Sequence, residues 1–153
     1  MSERLKRWFP IWKHILAVIV LALFLALVLW NRTHFWGYFP EWLSRRMSSH
    51  IFVCVIAVLL VYWGKWAIAS GLTLGYVGGV PVAQWLGDMK YAADQALIRP
   101  DMTEAERYAL SGHDHAYIWW GCIAVGVLLG FVVQIVVWIR KKRKRVQANS
   151  DES

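Results

Sequence analysis

The sequence predicts an all-α integral membrane protein with four transmembrane helices and both termini in the cytoplasm. Three observations lead there: apolar residues gather in long unbroken blocks, most of the +7 charge sits at the two ends, and tryptophans fall at the block edges. With 58% of the residues hydrophobic and 18% charged, little is left for a soluble domain, and the chain reads as a single membrane domain over 1–153.

The first span is expected at about 13–31. Between Lys13 and Arg32 nothing is more polar than His14 and Asn31, and Ile15 to Leu29 is wholly aliphatic or Phe. At about 1.5 Å per residue that stretch matches the hydrocarbon thickness. The bulky run Trp30 to Trp36 lacks the small residues of a signal-peptide cleavage site, so the segment is read as retained.

The second block, Met47 to Gly87, carries one charge, Lys65, and is too long for one helix. It divides into spans at about 47–64 and 66–86, with Lys65 at the water boundary. Pro81 should weaken or kink the third span, because it lacks a donor and crowds the preceding turn. The alternative is three spans, with 66–87 re-entrant or interfacial. The last span, at about 116–139, has no charged residue and runs into a basic cytoplasmic tail, 140–153, which opens with Arg140, Lys141, Lys142, Arg143, Lys144 and Arg145.

Tryptophan supports these edges, since its amphipathic ring favours the headgroup level. Trp12 and Trp30 bracket the first span, Trp63 and Trp66 flank Lys65, and Trp119 and Trp138 bracket the last. The resulting topology places eleven of the 17 Lys and Arg inside and six outside, in accord with the positive-inside rule.

Two outer loops remain. In 32–46, Phe35, Trp36, Tyr38, Phe39 and Trp42 alternate with Arg, a mixture suited to lying in the interface plane. In 88–115 a short helix is expected, opened by Asp101 with Glu104 or by Thr103 with Glu106 and stopped at Gly112. Its face of Met102, Ala105, Tyr108 and Ala109 is expected to cover the mouth of the bundle.

The clearest motifs are two rows of small residues at four-residue spacing: Ala67, Gly71, Gly75 and Gly79 in the third span, and Cys122, Gly126 and Gly130 leading to Gln134 in the fourth. Such rows let helix backbones approach closely in lipid. Packing of these two spans against each other within one chain is the favoured use, with contacts between chains as the rival. His50, His113 and His115 are the metal-ligand candidates, although HxH spacing is no zinc signature and solvated or interfacial histidines are the ordinary case. Cys54 and Cys122 fall at similar depth without implying a disulfide. No catalytic motif appears, no cofactor is implied, and the terminal basic run beside a span orients the chain instead of binding nucleic acid.

These features point to a small non-enzymatic membrane protein of a bacterial inner membrane or plasma membrane. Its expected work is that of an accessory or scaffold subunit of a larger complex, held through glycine-lined packing. Its partners are then lipids and other membrane subunits or itself, with no small-molecule substrate. An immunity, exclusion or holin-like protein is one alternative, and a histidine-based metal or haem protein another.

Overall fold

The structure, a computed structural model, describes residues 3–33 and 37–150, with side chains described for 11–33, 37–143 and 147. His34, Phe35 and Trp36, and the side chains of Lys144 and Arg145, lie outside this set. Every regular element among the described residues is a helix: α1 (Glu3–Thr33), α2 (Tyr38–Ser44), α3 (Met47–Tyr62), α4 (Trp66–Ala96), α5 (Glu104–Leu110) and α6 (His115–Ser150). Three stretches are long and apolar enough to cross a membrane: Ile11–Thr33 in α1, α4, and the stretch Glu104–Arg143 that contains α6.

The second expected span is the weak one. α3 has 16 residues, about 24 Å at 1.5 Å per residue, short of a hydrocarbon core about 30 Å thick. α2 precedes it at a 78° bend, so the pair forms at most one broken span. The loop expected at 32–46 therefore contains a helix, whose Phe39, Pro40 and Leu43 are buried.

Three residues, Trp63 to Lys65, suffice to turn from α3 into α4, because the chain closes α3 with Gly64 in the left-handed region at φ 75°. The Gly64 N–H then reaches the Val61 carbonyl at 3.0 Å and the Lys65 N–H reaches Leu60 at 2.8 Å, which satisfies two carbonyls of the last turn. Beyond this turn α4 runs for 31 residues, through Pro81 without a break in the helix and past the expected end at 86 to Ala96. Asp88, Lys90 and Asp94 thus stand on the same rigid rod as the apolar stretch, not in a loop. A proline deletes one backbone donor, and Pro81 does so on an exposed face of α4 without ending the helix.

α4 and α6 form the main pair and run antiparallel, while α1 lies along α3 and both touch α4. α2 fills the corner between α1 and α4. Phe24, Phe39, Leu43, Tyr76, Trp119 and Ile123 meet in the core, so α1, α2, α4 and α6 all contribute to it.

In the second loop, the Thr103 side chain accepts from the Glu106 N–H at 3.4 Å and the Glu106 carboxylate accepts from the Thr103 N–H at 2.8 Å. The helix start is therefore Thr103 with Glu106, and Asp101 takes no part in the cap. The helix ends on Ser111 without a left-handed glycine, since Gly64 alone among the described residues lies in the left-handed region. Of the expected face, Ala105, Tyr108 and Ala109 are exposed and only Met102 is half-buried, its Sδ accepting from the Arg99 N–H at 3.5 Å in the same loop, so the face does not cover the mouth of the bundle, contrary to expectation. α5 has only seven residues and rests chiefly on α4, too little to close the mouth of the bundle.

Candidate functional site

The two rows of small residues face one another. A Cβ on Gly71 would fall on the Gly126 carbonyl oxygen, one on Gly75 would come within 2.7 Å of the Cys122 carbonyl, and one on Gly130 within 2.6 Å of the Ala67 carbonyl. Gly79 meets the Cys122 and Trp119 side chains. The three steps Ala67–Gly130, Gly71–Gly126 and Gly75–Cys122 form a seam of backbone contact about 12 Å long at 1.5 Å per residue, which Gly79 extends by one turn against side chains. Gln134 sits one step further, where its Nε2 donates to the Gly64 carbonyl at 3.4 Å and ties α6 to the α3–α4 turn. Its Oε1 is buried without a partner among the described residues.

At the opposite end lies a buried polar and aromatic cluster. Its centre is Gln84, 4% exposed on α4. Its Oε1 accepts from the Phe39 N–H at 3.1 Å, and its Nε2 donates to Asp88 at 2.5 Å. Phe39 is in the first turn of α2, whose N-cap position, Gly37, has no side chain to satisfy that donor. Gln84 caps α2 from another helix, and a Cβ at position 37 would lie 2.4 Å from the Gln84 amide carbon.

Asp88 is held from both sides. Its second oxygen accepts from His115 Nε2 at 3.0 Å, while the His115 ring lies against Gly87. His113 stacks at 4.7 Å on Tyr91, at 4.2 Å on Tyr38 and at 5.8 Å on His115, all between centroids. Lys90 closes the rim of the cluster by reaching Asp114 at 2.6 Å and Asp94 at 2.7 Å.

A second branch runs through His50, which is 2% exposed. The Leu43 carbonyl can only accept, so His50 Nε2 carries the proton it donates there at 3.2 Å. Nδ1 of the neutral ring then accepts from the Tyr76 hydroxyl at 3.1 Å. Tyr76 packs in turn on Phe24 and Trp119, and its carbonyl accepts from Trp119 Nε1 at 2.9 Å. Asn31 at the end of α1 is fully buried, with both amide atoms unpartnered among the described residues.

The structure brings His113 and His115 together but places His50 in a separate branch, with both nitrogens already engaged. His50 and His115 are buried rather than solvated: His50 satisfies the Leu43 carbonyl at the end of α2, whereas His115 bonds the Asp88 side chain and leaves Nδ1 without a partner among the described residues. Among the described residues no group of three or more His, Cys, Asp or Glu is placed to hold a metal ion. Cys54 and Cys122 are free, Cys54 beside α1 and Cys122 in the seam. Gln84, Asp88 and Tyr76 escaped the sequence reading. Gln84 and Asp88 at i and i+4 were the available signal, and the predicted span edge fell between them. Arg140, Lys141, Lys142 and Arg143 are exposed on α6, with the Lys142 ammonium 5.6 Å from the Trp138 ring centroid. Compared with known proteins, the chain matches no family model, no curated protein and no solved structure.

Proposed function

We propose that this is a non-enzymatic accessory subunit of a larger membrane complex, in a bacterial inner membrane or plasma membrane, with four spans and both termini in the cytoplasm. α2–α3 serves as the broken second span, and its bend lets α2 lie near the interface plane. The eleven-to-six distribution of basic residues supports this orientation.

The observation that carries the reading is the two-sidedness of α6. One side is spent on the glycine seam with α4. The other presents Val125, Leu128, Val132, Ile135 and Ile139, all between 40% and 63% exposed, at alternating spacings of three and four. That is the spacing of a helix-packing stripe. The glycines thus stiffen the hairpin from within, and the aliphatic stripe is the surface offered to a partner. α6 continues as helix through the basic stretch to Ser150, which extends a charged arm beyond the span.

The test is purification from the native cell in mild detergent, beside the Leu128→Ala/Val132→Ala double variant. Larger membrane proteins in fixed ratio, diminished in the variant, are expected. Recovery of this chain alone or as a homo-oligomer would overturn the subunit reading in favour of a self-sufficient exclusion or pore-forming protein.

A further inference from the structure

A groove of about 280 Å³ runs beside the α4–α6 seam with no α1 or α3 residue in its lining, which comes from Trp66, Ser70, Gly71 and Leu74 of α4 and from Leu129, Gly130 and Val133 of α6, among others. Its walls are almost wholly apolar. From Leu74 to Trp66 it extends about 12 Å at 1.5 Å per residue. One turn beyond Val133 on the same face of α6, Val137 opens a second hollow lined by Arg140, Lys141 and Arg143. The register of the pair fixes what lies at the junction. Gln134 touches the Gly64 carbonyl, so Lys65, which is exposed, stands at the level where the apolar groove gives way to the basic hollow. Trp66, partly exposed at that end, suits the headgroup level.

We propose that this composite site binds one anionic phospholipid, with an acyl chain along the glycine groove and its phosphate between Lys65 and Arg140. Charge complementarity selects the occupant: an apolar slot alone accepts any lipid, whereas one that ends among Lys and Arg at the cytoplasmic interface favours an anionic headgroup. The rims argue for a flexible chain instead of a helix. Leu74 and Leu129, 67% and 61% exposed, stand on either side of the groove and hold a second helix backbone off the glycines. The register sets Lys65 beside the start of the basic stretch, the four-span reading on which the site rests makes that end cytoplasmic, and the site is separate from the aliphatic stripe of α6.

The experiment is native mass spectrometry of the full chain in mild detergent, titrated with phosphatidylglycerol or with phosphatidylcholine of the same acyl chains. One phosphatidylglycerol per chain should be retained in preference to phosphatidylcholine. Ser70→Phe and, separately, Leu129→Trp should fill the groove and abolish that retention, while Lys65→Gln/Arg140→Gln should weaken it about tenfold. Leu25→Phe on α1 is the control for a general loss of lipid, and circular dichroism shows whether each variant keeps its helices. Equal retention of both lipids, unaffected by Ser70→Phe, would mean annular lipid only and overturn the proposal. Competition by free glycerol phosphate would reduce the site to a phosphate-binding surface and overturn the groove. A dimer lost in Ser70→Phe would assign the groove to a second copy. Failure of the orientation itself would appear separately, as labelling of position 65 from outside the cell.

Discussion

Gln84 joins three helices with one amide: it caps α2 through the Phe39 N–H and hands its own N–H to Asp88, which His115 of α6 also holds. Gln84→Leu keeps the volume and leaves a buried donor at Phe39 without an acceptor, which costs about 1–3 kcal/mol. Hydrogen exchange at the Phe39 amide should speed up accordingly, while the seam amides of α4 near Gly71 stay protected. Glu106 offers a titratable counterpart outside the membrane. Hydrogen bonds from the Thr103 backbone N–H and hydroxyl hold its carboxyl below the ordinary glutamate range. Because the folded value is depressed, the stability it contributes is present above the unfolded midpoint and is lost as pH falls through the folded one. A carboxyl NMR titration should therefore place the Glu106 midpoint below that of an unstructured glutamate, and Thr103→Ala should move it back up. These residue-scale links were only partly legible. The Thr103–Glu106 box has a sequence signature, but Gln84 reads as one amide at a span edge until folding brings Gly37 and Phe39 against it.

At the scale of elements, the α4–α6 hairpin separates glycines that pack from glycines that do not. A Cβ at Gly71 or Gly126 would collide with backbone across the seam, whereas at Gly78 and Gly121 it meets nothing within 4 Å. Gly71→Ala and Gly126→Ala should each destabilise by about 1–3 kcal/mol through overpacking. Gly78→Ala and Gly121→Ala should stabilise by about 0.5–1 kcal/mol, since alanine loses less entropy in a helix. Reversible unfolding in mixed micelles measures both pairs, and equal effects at all four positions would contradict the seam. Four-residue spacing made both rows visible in the sequence. Their mutual register was not, because spacing along one helix says nothing of which step on the other it meets. The lengths of α3 and α4 were misjudged for a related reason. Apolar runs mark what lipid covers, but hydrogen bonding decides where a helix stops, and the polar stretch 88–96 carries no proline or glycine to end α4.

For the whole molecule, the fold is a rigid hairpin with a lighter pair, α1 and α3, leaning on one of its rods and a polar cluster at one end that locks the crossing α2 in place. Helix content and apolar stretches long enough to cross a membrane were evident from composition and blocks of hydropathy, although four spans were expected and three such stretches stand among the described residues. The cluster was not, because its members come from five separated regions of the chain. The account of function stands on orientation, since the partner stripe, the basic arm and the lipid groove acquire their meaning only if Lys65 and the end of α6 share the cytoplasmic side. Labelling of single cysteines in intact cells tests this most directly. With Cys54 and Cys122 replaced by alanine, cysteines are introduced one at a time at Lys65, Arg107 and Gln147 and exposed to a membrane-impermeant maleimide. The four-span account predicts reaction at position 107 in intact cells and at positions 65 and 147 only after permeabilisation. Reaction at position 65 from outside, or at 107 only after permeabilisation, would contradict it.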